Sequence, residues 1–371
     1  MTQVEDVYRS APTVPVSFDS TPTEACLSAL TELEELIERE LTPDSTTAAW
    51  PGLQISQDQL DREDELLRQS QLSGDLASWV ENYERVGDRR PYLWTWCRHG
   101  SAVTMLPCVS AAWHDEVCDT KLLGIMLDVM VDDVADQGGD PEFLERLVCL
   151  PLSSGPSDWR GFSDAQQKYA AFTEDVWNEI QRRVERFPRY GEFADLLRYD
   201  YLQLLNMMRY AHLTNRFPSL LNLAEHDLYL PHNMHIMINA TMDLMCSPEF
   251  DFAELGRLRQ AVFHAERMGR IGDMITTWER ELYQDDFTSG VFARAVVCGD
   301  LSIEDLDSGD RGFIERAIRE GRHEEYFLHQ WRMHRQAILK LKDSVRSVDL
   351  GTVVHNFDRL ICLHLVSRGH K

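Results

Sequence analysis

The chain is short of positive charge. Across 371 residues, 37 lysines and arginines face 62 aspartates and glutamates, a formal net charge of −25. A nucleic-acid backbone needs a basic surface, so nucleic acid is excluded as an expected partner. The same balance argues against docking on anionic membranes. No apolar run approaches the ~18 residues of a spanning helix, and residues 1–20 are acidic and polar, without the apolar core of a secretory signal. No membrane insertion and a cytoplasmic location are the resulting expectations. The cysteines, Cys26, Cys97, Cys108, Cys118, Cys149, Cys246, Cys298 and Cys362, form no CxxC and no close Cys/His grouping. That pattern excludes a structural zinc site and a disulfide framework. It leaves small buried hydrophobes in a reducing compartment. Strand-like alternation does not recur, and no internal repeat stands out.

What is present is helical periodicity over nearly the whole chain. Leu27, Leu30, Leu33, Leu36, Ile37 and Leu41 recur at helical spacing, after residues 1–21, which read as unstructured. Residues 43–58 read as a linker. Further helices are expected at 60–86, 91–104, 107–137, 141–149, 163–186, 190–213, 219–246, 252–286, 303–319, 322–346 and 351–367. Many segments after 107 are apolar on more than one face, as inner helices of a bundle are. The expected class is all-α. The expected division is an extension over 1–74, partly disordered with one or two helices, and a helical domain over 75–371.

Two acidic faces break the apolar pattern. The first is Asp132-Asp133-Val134-Ala135-Asp136, after the apolar run Leu122–Leu127. The second is Asp273-Met274-Ile275-Thr276-Thr277-Trp278-Glu279-Arg280-Glu281. Positions i, i+4 and i+8 share one stripe of a helix, so Asp132 and Asp136 point together, and so do Asp273, Thr277 and Glu281. Buried carboxylates are costly unless something positive meets them. Oxygen donors of this kind suit Mg²⁺.

These residues carry a resemblance to class I terpene synthases of bacterial type. Asp132–Asp136 reads DDxxD, and Asp273, Thr277 and Glu281 occupy the slots of an (N/D)DxxSxxxE motif, in the family's order. The resemblance covers about residues 75–371. It implies a helical bundle around a central cavity. It also implies Mg²⁺, about three ions by the family's pattern, held by Asp132, Asp136, Asp273, Thr277 and Glu281. Asp133 lies off the first stripe and is expected to support the ligands. Asp128, one turn earlier, either supports them or caps a local basic group. Arg280 is expected to face a diphosphate, and Arg270 is a further candidate. The implied reaction is ionisation of an allylic prenyl diphosphate, followed by cyclisation of the carbocation. A C20 substrate, geranylgeranyl or copalyl in type, is the expectation.

The chain departs from the family in several places. The region where bacterial members usually carry a diphosphate-sensing Arg reads His226–Met234 and has none, so Asn233 or His232 stands in its place. Arg209, Arg216 and Arg267 are other candidates for that task. The C-terminal Arg-Tyr pair is absent, and Met274 replaces the usual Asp. No DxDD motif occurs, so protonation-initiated cyclisation is not expected, although a separate class II cyclase is a possible partner. A homodimer is left open. Arg89-Arg90 reads as a surface cluster. Met126, Met130, Met207, Met208, Met234, Met237, Met242 and Met245 either line a soft pocket or form plain core. Gly269 and Gly272 mark either close helix packing or room beside the metals. The alternatives are a sesquiterpene cyclase, a trans-prenyltransferase, and a helical interaction protein without enzymatic activity.

Overall fold

The computed structural model describes residues 53, 55–136, 140–152 and 157–370. The readings of 1–21 as unstructured and of 27–41 as a helix lie outside these residues. Among the described residues every regular element is helical, so the class is all-α. In chain order the helices are α1 (Gln57–Gln69), α2 (Gly74–Tyr83), α3 (Pro91–Val103), α4 (His114–Asp136) and α5 (Pro141–Cys149). Next come α6 (Asp164–Val184), α7 (Tyr190–Arg216), α8 (Leu223–Tyr229), α9 (Ile236–Met245) and α10 (Leu255–Tyr283). The last five are α11 (Gly290–Cys298), α12 (Ile303–Asp307), α13 (Arg311–Glu320), α14 (His323–Lys340) and α15 (Leu350–Val366). No described helix is long and apolar enough to cross a membrane.

Two long helices position everything else. α4 packs against α3, α6, α7 and α9, while α10 packs against α9, α14 and α15. α4 is buried on several sides, with Leu122, Leu123, Met126, Leu127, Met130 and Val131 each nearly inaccessible. α10 needs glycine to approach its neighbours. A Cβ at Gly269 would sit 2.5 Å from Ile236 Cδ1, and one at Gly272 would sit 2.9 Å from His364 Cδ2. Both glycines therefore serve close packing, against the start of α9 and against α15.

Three expected helices are interrupted. The helix expected at 60–86 is two, because Ser70 turns extended and Ser73 caps α2 by accepting from Leu76 N. The helix expected at 219–246 breaks at His235, which takes the left-handed φ of 58° between a 3₁₀ turn, Leu230–Met234, and α9. Pro231 has no N–H to extend α8, which explains an interruption there. The helix expected at 303–319 stops at Asp307 and restarts at Arg311, with Gly309 at φ 75° between them. The helix α11 lies in a stretch given no element by periodicity.

The sequence places the start of the helical domain at 75, yet α1 lies before it and packs on α15. Ser56 and Gln59 cap α1 reciprocally, and Leu60, Glu63 and Leu67 form its buried stripe. Glu63 is 4% exposed and accepts from Arg359 Nε at 2.7 Å and Arg359 NH2 at 3.1 Å. Burial alone would raise this carboxyl. Hydrogen bonds from His99 and Arg359, with their charge, reverse that and pull it down to about 2. A depressed carboxyl stabilises the fold above its unfolded value of 4.5 and loses that contribution as pH falls towards 2. We therefore expect Glu63→Gln to destabilise the protein by about 2 kcal/mol near neutral pH. Thermal melts against pH should show the mutant and wild-type curves converging as pH falls through that window.

Candidate active site

α4 and α10 bring their acidic faces to one cavity of about 550 Å³. Asp128, Asp132, Asp133 and Asp136 line it from α4, and Arg270, Asp273, Thr277, Arg280 and Glu281 line it from α10. Asn233 lines it from the broken segment before α9. The five ligand candidates, Asp128 and Asp133, and the diphosphate candidates Arg270, Arg280 and Asn233 thus meet the same space, although the two runs are far apart in the chain. Along α4, Ile125 and Val129 also line the cavity. Its wall therefore grows more acidic along α4, although Asp128 already lies between Ile125 and Val129. Leu93 and Trp96 of α3, Ile236 of α9 and Leu360 of α15 add to the apolar part.

The electrostatics are unbalanced. Burial, opposed by Arg89 and reinforced by Asp133 and Asp286, pushes Asp132 up to about 6. Burial, reinforced by Asp286 and opposed by Arg270, pushes Glu281 up to about 7. Burial, followed by repulsion from Asp132, Asp286 and Glu281, holds Asp136 well above the usual carboxylate range. Asp128 is raised in the same way, by burial and then by Asp132 and Glu266. Glu281 Oε2 and Asp128 Oδ1 are buried without a hydrogen-bond partner. The contacts present satisfy only part of the cluster. Asn233 Nδ2 donates to Asp132 Oδ1 at 3.2 Å, Arg270 NH1 lies 3.3 Å from Asp273 Oδ2, and Arg280 NH2 lies 3.6 Å from Glu281 Oε1. Thr277 donates its hydroxyl proton to the Asp273 carbonyl at 2.9 Å, which leaves its oxygen lone pairs available. The donors are all oxygen, several are buried, and their charges repel. That donor set fits a hard divalent cation.

Several supporting residues were not legible in the sequence. Arg89 is not a surface residue: it lines the cavity and holds Asp133, with Nε 2.8 Å from Oδ1. Burial works against the Arg89 charge, but Asp133 and Asp132 outweigh it and keep its pKa above the ordinary value. Arg90, its neighbour, is exposed. Asp286 follows α10 and is 8% exposed. Asn215 at the end of α7 bridges it to α4, with Nδ2 3.4 Å from Asp136 Oδ1 and 3.2 Å from Asp286 Oδ1. Asp286 sits in a loop and has no helical phase to betray it. Asn215 carries no motif at all.

Other expectations resolve against the site. Arg209 pairs with Glu145, Arg216 is exposed, and Arg267 donates to the Asp227 carbonyl and stacks on Phe263. None of the three lines the cavity. Arg359 is engaged by Glu63, and Arg368 by Glu279 and Glu324. Of the eight methionines proposed for a soft pocket, Met234 alone lines the cavity; the rest are buried core. His232 pairs with Glu266 at 3.1 Å. No basic side chain is recorded at Asp128 for it to cap, among the described residues.

A second grouping, Cys298, Asp300 and His323, brings ligand atoms within 4.8 Å of one another. Arg294 meets His323 at Nδ1. A guanidinium only donates, so Nδ1 must be the bare nitrogen and Nε2 the protonated one. Nε2 faces Asp300 Oδ2 at 3.1 Å. Metal ligation through Nε2 requires the opposite tautomer, so this grouping reads as an Arg–His–Asp arrangement in which Nε2 faces the Asp300 carboxylate.

No family model matches the chain, and no curated protein matches it. What can be said of its chemistry rests on the cavity. Glu281→Gln removes one buried charge. Because the folded value of about 7 lies above the ordinary value of 4.5, this carboxyl costs the fold stability progressively as pH rises from 4.5 to 7. In chelator, we expect the variant to melt several degrees above wild type at about pH 8 and to lose most of that advantage only by about pH 5.

Proposed function

We propose that this protein is a magnesium-dependent class I terpene synthase that ionises an allylic prenyl diphosphate and steers the resulting carbocation. The observation that carries this reading is the convergence of two acidic helix faces on one cavity whose wall also includes Leu93, Trp96, Ile125, Val129, Ile236 and Leu360. Asp132 and Asp136 on one side, and Asp273, Thr277 and Glu281 on the other, would hold Mg²⁺. When bound, the cations supply Lewis-acid neutralisation of the departing diphosphate. The buried, repelling carboxylates favour cations over any other occupant, since each added positive charge relieves the repulsion.

The chain's own groups divide the remaining work. Arg280 and Arg270 lie beside Glu281 and Asp273 and offer the two cationic side chains of α10 that line the cavity. They fit an anionic leaving group, where charge develops as the C–O bond breaks. Asn233 orients Asp132, which gives it a positioning task rather than the diphosphate contact expected from its place in the sequence. Arg89 fixes Asp133 and offsets its negative charge beside the Asp132–Asp136 pair. Ile125, Val129, Leu93, Ile236 and Leu360 offer a hydrocarbon surface that excludes water from a cation. Trp96, also on the wall, offers a π face. A C20 substrate and a cytoplasmic site of action belong to this reading.

The test is direct. Pure protein with Mg²⁺ and C10, C15, C20 or bicyclic C20 diphosphates should release pyrophosphate and give hydrocarbon products by gas chromatography. We expect turnover of a C20 diphosphate; turnover of C15 alone would refute the chain-length assignment. Asp132→Asn and Glu281→Gln should each lower kcat by about 100-fold or more while circular dichroism stays native. Chelation should abolish activity. If isopentenyl diphosphate is consumed and the chain lengthens, the protein is a prenyltransferase instead.

A further inference from the structure

The apolar part of the cavity holds a polar group that ionisation does not use. His235 sits at the break before α9 and is 1% exposed, yet it lines the cavity. Its Nδ1 meets Asn239 Oδ1 at 3.0 Å. An amide oxygen accepts, so Nδ1 carries the proton and Nε2 presents its lone pair. Nε2 is buried without a partner. Two features hold the ring in place. Tyr201 packs edge-on against it at a centroid distance of 5.8 Å, and Gly124 of α4 lies so close that a Cβ there would meet Cε1 at 2.6 Å and Nε2 at 3.0 Å. The backbone also bears a cost here, since φ of 58° is unfavourable for a residue other than glycine. A strained, fully packed histidine on the cavity wall, with an unpartnered nitrogen beside Gly124, calls for a chemical explanation.

We infer that His235 Nε2 is the base that ends the reaction, taking a proton from the carbocation. This rests on the terpene-synthase reading above. A C–H bond next to the cationic carbon breaks, its electron pair becomes the new C=C bond, and the proton passes to Nε2. The imidazole becomes imidazolium, and the proton then leaves with the diphosphate set free by ionisation, so the net products are an alkene and protonated diphosphate. Burial, aided by Lys121 and opposed by Asn239, lowers His235 to about 4. That keeps the ring neutral in water near pH 7. A carbocation is a far stronger acid than any imidazolium, so so weak a base still suffices. A carboxylate in the same place would add another repelling charge to the cluster; a neutral ring does not.

The experiment compares full-length wild type with His235→Asn, because Asn tolerates the left-handed conformation best after glycine. Each receives Mg²⁺ and whichever prenyl diphosphate the wild type turns over, and pyrophosphate and hydrocarbons are measured in the same reactions. We expect pyrophosphate release within about fivefold of wild type. We also expect the principal alkene to fall by about tenfold as a share of products, replaced by double-bond isomers or alcohols. Gly124→Ala, which displaces the ring without removing it, should shift products in the same direction. An unchanged product distribution in both variants overturns the inference, whether release is retained or falls with product in proportion; the latter marks a structural role. Absence of pyrophosphate release from wild type with every prenyl diphosphate removes the underlying reading as well, so the two failures are distinguishable.

Discussion

Like charges held together away from water dominate this molecule. Asp132, Asp136, Glu281 and Asp286 repel one another inside a cavity, and burial denies them the solvent that would screen them. The rest of the fold tolerates this because α4 and α10 are each clamped by several neighbours and cannot splay. Arg89, Arg270, Arg280, Asn233 and Asn215 relieve the repulsion in part, each by one or two contacts. Stability is sacrificed locally at the site proposed to hold cations, a kind of place where proteins commonly depart from the rules that govern the core.

The same fold supplies the contrast the proposed chemistry needs. Along α4 the lining changes from Ile125 and Val129, with Asp128 between them, to Asp132, Asp133 and Asp136, so apolar side chains enter the wall only at one end of the stretch. The interruption at His235 adds a third element. A continuous helix from 219 to 246 would have carried its side chains in regular phase. The turn at Leu230–Met234 and the left-handed residue after it instead bring Asn233, Met234, His235 and Ile236 all to the cavity. Four consecutive side chains on one surface is something a regular helix cannot do.

Much of this was readable from residues alone. The all-α class followed from apolar spacing, and the long elements α7 and α10 were located to within three residues, because periodicity accumulates over many turns, whereas α4 starts seven residues later than expected. The five residues proposed as ligands were chosen by helical phase, and phase is a local property that survives folding. Less was readable where a local signal was weak or misleading. Met207 and Met242 have the spacing of a pocket lining, but they face the core. Arg89 has the look of a surface charge and is drawn inward by Asp133. The breaks at Ser70–Ser73 and His235 depend on single caps and a single φ.

Sequence by itself determined which carboxylates share a helix face, since i and i+4 coincide on any α-helix whatever surrounds it. It also determined that those faces are embedded in apolar surroundings and that the chain is helical. Only the tertiary structure decided that the two faces meet, that Asp286 and Asn215 join them, and that His235, on the cavity wall, keeps a buried nitrogen without a partner. Those facts depend on which helix packs against which, and on exclusion of water between them. Both are set by contacts between residues far apart in the chain, which no local periodicity encodes.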